Sequence, residues 1–155
     1  MKAKPSPLRL KHFELVESQF KFILPQEEEI DDVGHLFDSY PLEVDFYHHN
    51  LEDGLIQVSC LIKVNKGRSP LVGYSMMAAA IGVFEIQDSE ELEENKLGNL
   101  KFYSTLNMMI NNLRNIIFQQ SNLGPMKGYL LPPIDVLDLF AKKRKKQKRQ
   151  QGKKQ

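Results

Sequence analysis

The most constraining feature of the sequence is a long segment with almost no charge, residues 71–86, which reads LVGYSMMAAAIGVFEI. Apolar residues occupy both phases of the alternation in this segment, so a strand formed here is apolar on both faces. A strand of that kind must be covered on both sides. At 155 residues the chain suits one domain that is large enough to bury such a core.

Three other segments have the period of two that is typical of half-buried strands. Segment 54–64 places Ile56, Val58, Cys60, Ile62 and Val64 on one face, and segment 42–50 repeats the pattern. Asp53-Gly54 lies between these two segments and predicts an antiparallel hairpin with a short loop. In the N-terminal strand, about 9–24, the apolar residues change phase, which predicts a bulge or a strong bend near Val16.

A long helix is predicted for about 96–121, where apolar residues recur every three or four positions. The remaining face is polar, yet between Asn99 and Gln120 the only charges are Lys101 and Arg114. A solvated helix face normally carries several ion pairs, so we expect burial on two sides, by the sheet and by a second copy of the chain. The expected oligomer interface consists of Asn107, Asn111, Arg114 and Asn115.

Two connecting segments are apolar although their local signals are those of loops. Residues 26–41 are expected to form a long crossover loop that begins with acidic residues and ends with exposed apolar ones. Residues 122–133 carry two glycines and three prolines among their leucines and aromatics. The last helix is predicted from Ile134 to about Lys143, with Ile134, Leu137 and Phe140 as its inner positions. The fold class is therefore α+β: a four-stranded antiparallel sheet with one long helix packed on it and a short C-terminal helix.

The charge distribution is uneven. Residues 142–155 hold nine of the 21 Lys and Arg residues and no acid, which leaves 12 basic against 20 acidic residues in 1–141. The body is thus acidic, with a net charge of −8, and the end of the chain is basic. We expect one domain over 1–143 and a basic tail over 144–155, disordered or a frayed extension of the last helix. Such a tail is a solvated terminus or attracts RNA, a membrane or another anionic surface.

Signals for catalysis are scarce. His48 and His49 are neighbours on a strand and point to opposite faces, so they cannot hold one metal ion. Cys60 is expected to be an inert buried thiol. The sequence contains no nucleotide-binding, nucleophile-elbow or metal-protease motif. We therefore expect a protein that is not an enzyme and that needs no metal or cofactor.

The location of the protein follows from two further observations. The lone cysteine excludes an internal disulfide and fits a reducing cytoplasm. Nothing in the sequence looks like a signal peptide, and no apolar run approaches the ~20 residues that a membrane helix needs. We expect a cytoplasmic protein that is not inserted in a membrane.

Four short segments, in this order along 9–143, resemble the SecB-type protein-export chaperones. Phe22-Ile-Leu-Pro25 resembles the end of the family's first strand, and Ile81-Gly82-Val83-Phe84-Glu85-Ile86 resembles a segment close to its fourth strand. Residues 107–114 (NMMINNLR) resemble the middle of its main helix. Residues 130–135 (LLPPID), followed by Leu139-Phe140, resemble the segment that opens its last helix.

The resemblance implies an assembly and an activity. Members of the family form a dimer of dimers through the long helix and hold unfolded or precursor polypeptides without ATP. Their grooves are bounded by the crossover loop and by the loop between the helices. The expected binding residues here share these loops and the adjoining strand: Phe37, Tyr40, Leu123, Met126, Tyr129 and Leu130, with Tyr74 and Met76 as the floor.

The sequence departs from the family where export chaperones dock the translocase ATPase SecA. Gln19, Ile23 and Met77 stand at positions that are acidic in those chaperones, and the acidic C-terminal end is replaced by a basic one. The resemblance therefore favours a holdase over service to SecA. Two alternatives stay open: a dedicated adaptor for one partner, such as an antitoxin, and a nucleic-acid-binding protein that acts through 142–155.

Overall fold

The computed structural model of the chain describes residues 1–25 and 33–151. The chain forms strand β1 (Leu8–Ile23), helix α1 (Val33–Asp38), and strands β2 (Leu42–Asn50), β3 (Ile56–Val64) and β4 (Gly73–Ile86). Helix α2 (Glu94–Asn99), a π-helical turn (Leu100–Ser104) and helix α3 (Thr105–Ser121) follow as one continuous long helix, and helix α4 is Val136–Gln151. The predicted fold class is confirmed.

The four strands form one antiparallel sheet in the order β1-β4-β3-β2. Strands β2 and β3 pair as the expected hairpin, in which Asp53 and Gly54 take positive φ angles of 58° and 73°. The expected bulge in β1 is confirmed, because the pairing with β4 shifts between Leu15 and Glu17. The crossover from β1 to β2 therefore joins the two opposite edges of the sheet.

The long helix covers one face of the sheet. The side chains of α3 that meet the sheet are buried: Leu106, Met109, Ile110, Leu113 and Ile117. They pack on a buried stripe of β3 and β4 that includes Val58, Ile62 and Met76. On the opposite face of β4, Met77 is buried while Ala79, Ile81 and Val83 are half-buried.

Two predictions about the connecting segments need correction. Residues 33–38 of the expected crossover loop form a helix, and Tyr40, expected to be exposed, is buried with its hydroxyl on Val72 O. The first part of that segment, 26–32, lies outside the described residues. Residues 122–133 form the expected loop.

The last helix also differs from the prediction. It begins at Val136, because the Asp135 carboxylate accepts a hydrogen bond from the Asp138 N–H, as an N-cap residue does. This start places Val136 inward and leaves Leu137 64% exposed, so the expected inner position at Leu137 is wrong. The helix continues to Gln151, which makes 144–151 an extension of the helix. Lys, Arg and Gln are good helix formers, so these residues can continue it.

Candidate polypeptide-binding site

An aromatic cluster lies where α1, the start of β4 and the loop 122–133 meet. The Phe37 ring is 5.5 Å from the Tyr40 ring, 5.9 Å from Tyr74 and 5.3 Å from Tyr129, measured between ring centroids. The Tyr40 and Tyr129 rings are 5.7 Å apart. Contacts of this length between tilted, stacked or edge-on rings stabilise beyond the area that they bury. The cluster therefore joins both apolar connecting segments to the sheet.

Hydrogen bonds of two tyrosines fix the geometry of this cluster. The Tyr74 hydroxyl donates to Met126 O at 2.6 Å and accepts from the Met126 N–H at 2.9 Å. The Tyr40 hydroxyl donates to Val72 O at 2.9 Å and accepts from the Tyr74 N–H at 2.9 Å. The loop is thus tied to β4 at Met126 by both backbone groups of one residue.

Glycines allow the backbone to approach these rings closely. At Gly73, which has a φ of 91°, an added Cβ would lie 2.2 Å from the Tyr40 hydroxyl oxygen. At Gly124 an added Cβ would lie 2.5 Å from the Tyr74 ring. Any larger residue at either position would displace the tyrosine that closes the site.

The C-terminal part of the loop is anchored to the long helix. The Arg114 guanidinium donates to Leu131 O at 3.1 Å, to Pro132 O at 3.2 Å and to the Asn111 side-chain oxygen at 2.5 Å. The Ser121 hydroxyl accepts from the Tyr129 N–H at 2.7 Å. With both ends of the loop held, its exposed side chains cannot easily fold back onto the core.

The eight expected binding residues divide into two groups. Tyr40, Tyr74, Met76 and Tyr129 are buried in the core of the chain. Leu123 is 87% exposed and Leu130 is 67% exposed, while Phe37 and Met126 are half-buried. The structure therefore brings the aromatic residues together in the core beneath the loop, and the loop exposes its leucines to the solvent.

Other residues belong to this site and were not among those expected. Phe20 and Phe22 of β1 lie 5.3 and 5.8 Å from the Tyr74 ring, and Phe20 is 38% exposed. Buried Asn65 donates to Leu71 O and to Tyr74 O, which sets the turn before β4. The change of phase in β1 could have indicated that Phe20 and Phe22 lie on the face of the strand that adjoins this site. No signal marked Asn65 beyond its place in a turn.

Burial also keeps two phenols of the site, Tyr40 and Tyr129, uncharged. It raises the pKa of Tyr40, and it raises the pKa of Tyr129 to about 12, with the nearby Tyr40 and Asp38 adding to the effect. Both phenols are therefore neutral near pH 7. A surface built on neutral aromatic rings and leucines suits apolar side chains rather than ions.

The residues expected at an oligomer interface lie on the outer side of the long helix. Asn107, Asn111 and Asn115 are exposed, and Arg114 is half-buried against its own loop. Met108 and Ile116 on the same helix are half-buried. Apart from Arg114, the outer face of α3 carries no charged side chain.

A cleft of about 600 Å³ lies between β2 and α4 on another part of the surface. Lys143 reaches across it, with its Nζ 2.9 Å from an Asp45 carboxylate oxygen and bonded to Phe46 O. Burial would raise the pKa of Asp45, but hydrogen bonds from Lys143 and from the Phe46 N–H outweigh it and lower that pKa. These contacts cap the free edge of β2 at Phe46 with side chains of the same chain.

Cys60 and the neighbours His48 and His49 are the groups that were considered for chemistry. Cys60 is buried, and burial raises the pKa of its thiol to about 12. His49 is exposed, while His48 points inward, as the alternation predicted, with its Nε2 3.0 Å from the Thr105 hydroxyl. Within residues 1–25 and 33–151, no group of three or more His, Cys, Asp or Glu side chains is placed to hold a metal ion. No helix there is long and apolar enough to cross a membrane.

His48 makes the fold sensitive to acid. Burial lowers its pKa from 6.5 to about 4, so the unfolded chain binds a proton at this residue at a pH where the folded chain does not. Stability from this residue is complete above pH 6.5 and is lost as the pH falls toward 4. We expect the free energy of unfolding to drop by about 2 kcal/mol over this range.

His48→Phe tests this expectation because it keeps an aromatic ring among Phe46, Phe102 and Phe140. Urea unfolding of both proteins at pH 7 and pH 4.5 measures the effect. The variant should lose less stability than the wild type. Equal losses in the two proteins would show that His48 is not responsible.

Taken together, the described residues form an α+β domain with a helix layer on one sheet face and an apolar loop held over an aromatic cluster. No protein-family model and no curated protein matches the chain. The solved structures that it resembles include a SecB-like chaperone from Mycobacterium tuberculosis in complex with a ChAD peptide from an antitoxin. That match has a TM-score of 0.47 at 9% identity and covers 83% of this chain and 91% of the other.

A protein of unknown function from Streptococcus agalactiae is a second structural match. Its TM-score is 0.43 at 9% identity, and the match covers 81% of this chain and 97% of the other. The likeness to both structures is distant.

Proposed function

We propose that the chain is an ATP-independent molecular chaperone, a holdase, which binds unfolded or precursor polypeptides on the surface formed by α1, the loop 122–133 and the start of β4. We call this surface the loop surface. The observation that carries the proposal is the exposure of Leu123 and Leu130 on a loop that is fixed at both ends. The four segments that resemble SecB-type chaperones support the same function.

The chemistry of the loop surface suits an unfolded client. Exposed leucines beside aromatic rings release water when they contact apolar side chains of a client, and this contact needs no particular sequence. Half-buried Met126 adds a flexible side chain that adapts to different partners. Because the loop is held by Tyr74 and Arg114, the binding surface exists before the client arrives, which lowers the entropic cost of binding.

Assembly into a homotetramer, a dimer of dimers, is part of the proposal. The outer face of the long helix carries exposed asparagines rather than charges, and half-buried Met108 and Ile116 lie on the same helix. A tetramer would place several loop surfaces on one particle, so that a long client could contact more than one. The expected site of action is the cytoplasm, which suits the lone buried thiol.

A role in delivering clients to the translocase ATPase SecA has less support than a general role in holding unfolded polypeptides. Gln19 of β1 lies directly opposite Met77 of β4 in the sheet, so two of the positions that are acidic in export chaperones are neighbours here and uncharged. This pairing also leaves room for a dedicated adaptor with one partner, such as an antitoxin. An affinity purification that returns one stoichiometric partner would favour the adaptor, and many different clients would favour the holdase.

The double variant Leu123→Ser, Leu130→Ser tests the loop surface. Both side chains are exposed, so their replacement should leave the free energy of unfolding within about 0.5 kcal/mol of the wild type. We expect at least a tenfold loss of affinity for a reduced, carboxymethylated model protein that cannot fold. Fluorescence anisotropy of the labelled client measures this affinity.

A matched control variant is Val16→Ser, Leu137→Ser. Both of these side chains are also exposed, at 57% and 64%, but lie in β1 and α4 outside the loop surface. The control should bind the client as the wild type does. If both double variants lose affinity equally, client binding depends on general surface hydrophobicity, and the assignment to the loop surface is wrong.

A further inference from the structure

The second half of α4 is a strongly basic surface that takes no part in the proposed client site. Seven of the eight residues from Lys142 to Arg149 are Lys or Arg, and the exception is Gln147. The whole segment is helical, and all of it except Lys143 is exposed. It projects from a body in which acidic residues outnumber basic ones.

Most of these charges have no partner within the described part of the chain. Lys142 pairs with Asp138 at 2.6 Å, and Lys143 pairs with Asp45 at 2.9 Å. No described carboxylate lies within 4 Å of the remaining five basic residues: Arg144, Lys145, Lys146, Lys148 and Arg149. The acidic side chains that line the adjoining cleft are Glu43 and Asp45.

The spacing of the positive charges destabilises this helix when no anion is bound to it. Lys142 and Lys146, Arg144 and Lys148, and Lys145 and Arg149 are each four residues apart, so three pairs of like charges are neighbours on the helix surface. Pairs of this kind destabilise a helix, by a few tenths of a kcal/mol each. A dense array of negative charge would remove this repulsion and stabilise the helix.

The composition of the segment limits the kind of anion that it fits. No residue from 142 to 149 is apolar, so the segment has no face to insert into a bilayer. It has no aromatic residue on which an unpaired base can stack, as single-strand binders have. Lysines outnumber arginines, which suits contact with phosphates as point charges rather than bidentate recognition.

The arc of the helix circumference that carries basic side chains favours binding in a groove over binding on a flat surface. At about 100° per residue, the five unpaired basic residues and Lys142 cover about 200° of the helix circumference. A helix on a flat surface would use a narrower arc, whereas a helix in a groove meets charges on both sides. The major groove of B-form DNA is about 12 Å wide and admits an α-helix, but that of A-form RNA is too narrow.

We propose that residues 142–149 are a docking element for double-stranded DNA, in which the helix lies in the major groove and its Lys and Arg side chains contact phosphates of both strands. We expect the binding to depend little on base sequence, since Lys predominates in the segment and contacts phosphates as a point charge. The proposal is independent of the holdase function, because this helix end and the loop surface share no residue.

Anisotropy titration of the full-length protein against a fluorescein-labelled 20-base-pair DNA duplex tests the proposal. We expect a dissociation constant on the order of 1–100 μM at 50 mM salt. With about five phosphates contacted, the logarithm of the association constant should fall against the logarithm of salt concentration with a slope of about −4.5.

Two variants of equal net charge distinguish DNA binding through this helix from attraction that depends only on the net charge of the protein. In the first, the five unpaired basic residues of α4 are replaced by Gln, which preserves helix propensity. In the second, five exposed basic residues elsewhere are replaced by Gln: Lys2, Lys4, Lys21, Arg68 and Lys96. We expect at least tenfold weaker binding by the first variant and less than threefold weaker binding by the second.

Competition experiments decide the identity of the anion. An RNA duplex of the same length, a single-stranded DNA and vesicles with anionic phospholipids should each bind more weakly than the DNA duplex. Tighter binding of the wild type to the RNA or to the vesicles would overturn the assignment. So would equal losses in the two variants, or a wild-type protein that does not bind DNA at 50 mM salt.

Discussion

Replacing Tyr74 by Ala is expected to lower the free energy of unfolding by about 4 kcal/mol, the largest stability effect of any substitution considered for this site. The side chain is fully buried and its ring contacts Phe20, Phe22 and Phe37. The substitution removes these contacts, leaves a cavity, and frees both backbone groups of Met126. Urea unfolding followed by circular dichroism measures the change.

Tyr74→Phe separates the ring from its hydroxyl. This variant keeps the packing but leaves the Met126 N–H without its partner, so we expect a smaller loss of about 1–2 kcal/mol. The loop is then released from β4. We therefore expect the loss of binding free energy for an unfolded client to exceed the loss in the free energy of unfolding. A Tyr74→Ala variant as stable as the wild type would contradict the structure of the cluster. Unchanged client affinity in Tyr74→Phe would show that loop anchoring is unimportant.

The second large effect is expected in assembly. Replacing Asn107 and Asn115 together by Glu should convert the proposed tetramer into smaller species, because four copies would place eight carboxylates at the interfaces. The one cation expected there, Arg114, is bonded to carbonyl groups of its own loop. Both asparagines are exposed in the single chain, so the fold itself should tolerate the change. Light scattering coupled to size-exclusion chromatography measures the mass.

Asn111 is a poorer choice for this test, and it supplies the control. Its side-chain oxygen already accepts a hydrogen bond from Arg114, so a Glu at this position would gain a cation beside it. Asn111→Glu should therefore disturb assembly less than the double variant does. A monomeric wild-type protein, or a double variant with wild-type mass, would show that the outer helix face is not an interface.

Strands β2 and β3 and the long helix were predictable because each has a strong period. The alternation from Ile56 to Val64 reappears as the burial pattern of β3, and the inner positions of α3 follow the helical spacing. The change of phase in β1 predicted its bulge at the right place. In these elements the local pattern and the tertiary burial agree, so sequence alone contains the answer.

The loop 122–133 could not be predicted in detail because it has no period. Tyr129 and Leu131 point inward while Leu123 and Leu130 point outward. What decides between them is a set of bonds between residues far apart in sequence, such as Tyr74 with Met126. Four of the expected binding residues are therefore core residues in the single chain, although all come from elements that form or adjoin the site.

The start and the length of α4 also have physical causes. Pro133 suggested an earlier start, but the helix is capped by Asp135, and two residues of shift turn Leu137 outward. The two states expected for the charged end were disorder and a frayed extension of the last helix. Over 144–151 the structure shows the extension, which the helix propensity of Lys, Arg and Gln allows. Where two local signals predict different helix boundaries, the sequence alone does not show which one determines the structure.

Suppression of aggregation tests the central proposal most directly. A chemically unfolded model protein is diluted into buffer with and without the chain, in the absence of nucleotide, and light scattering is followed over time. The proposal predicts that a few-fold molar excess of the wild type suppresses the scattering and that added ATP changes nothing. Scattering equal to that in buffer alone, with a folded wild-type protein, would contradict it.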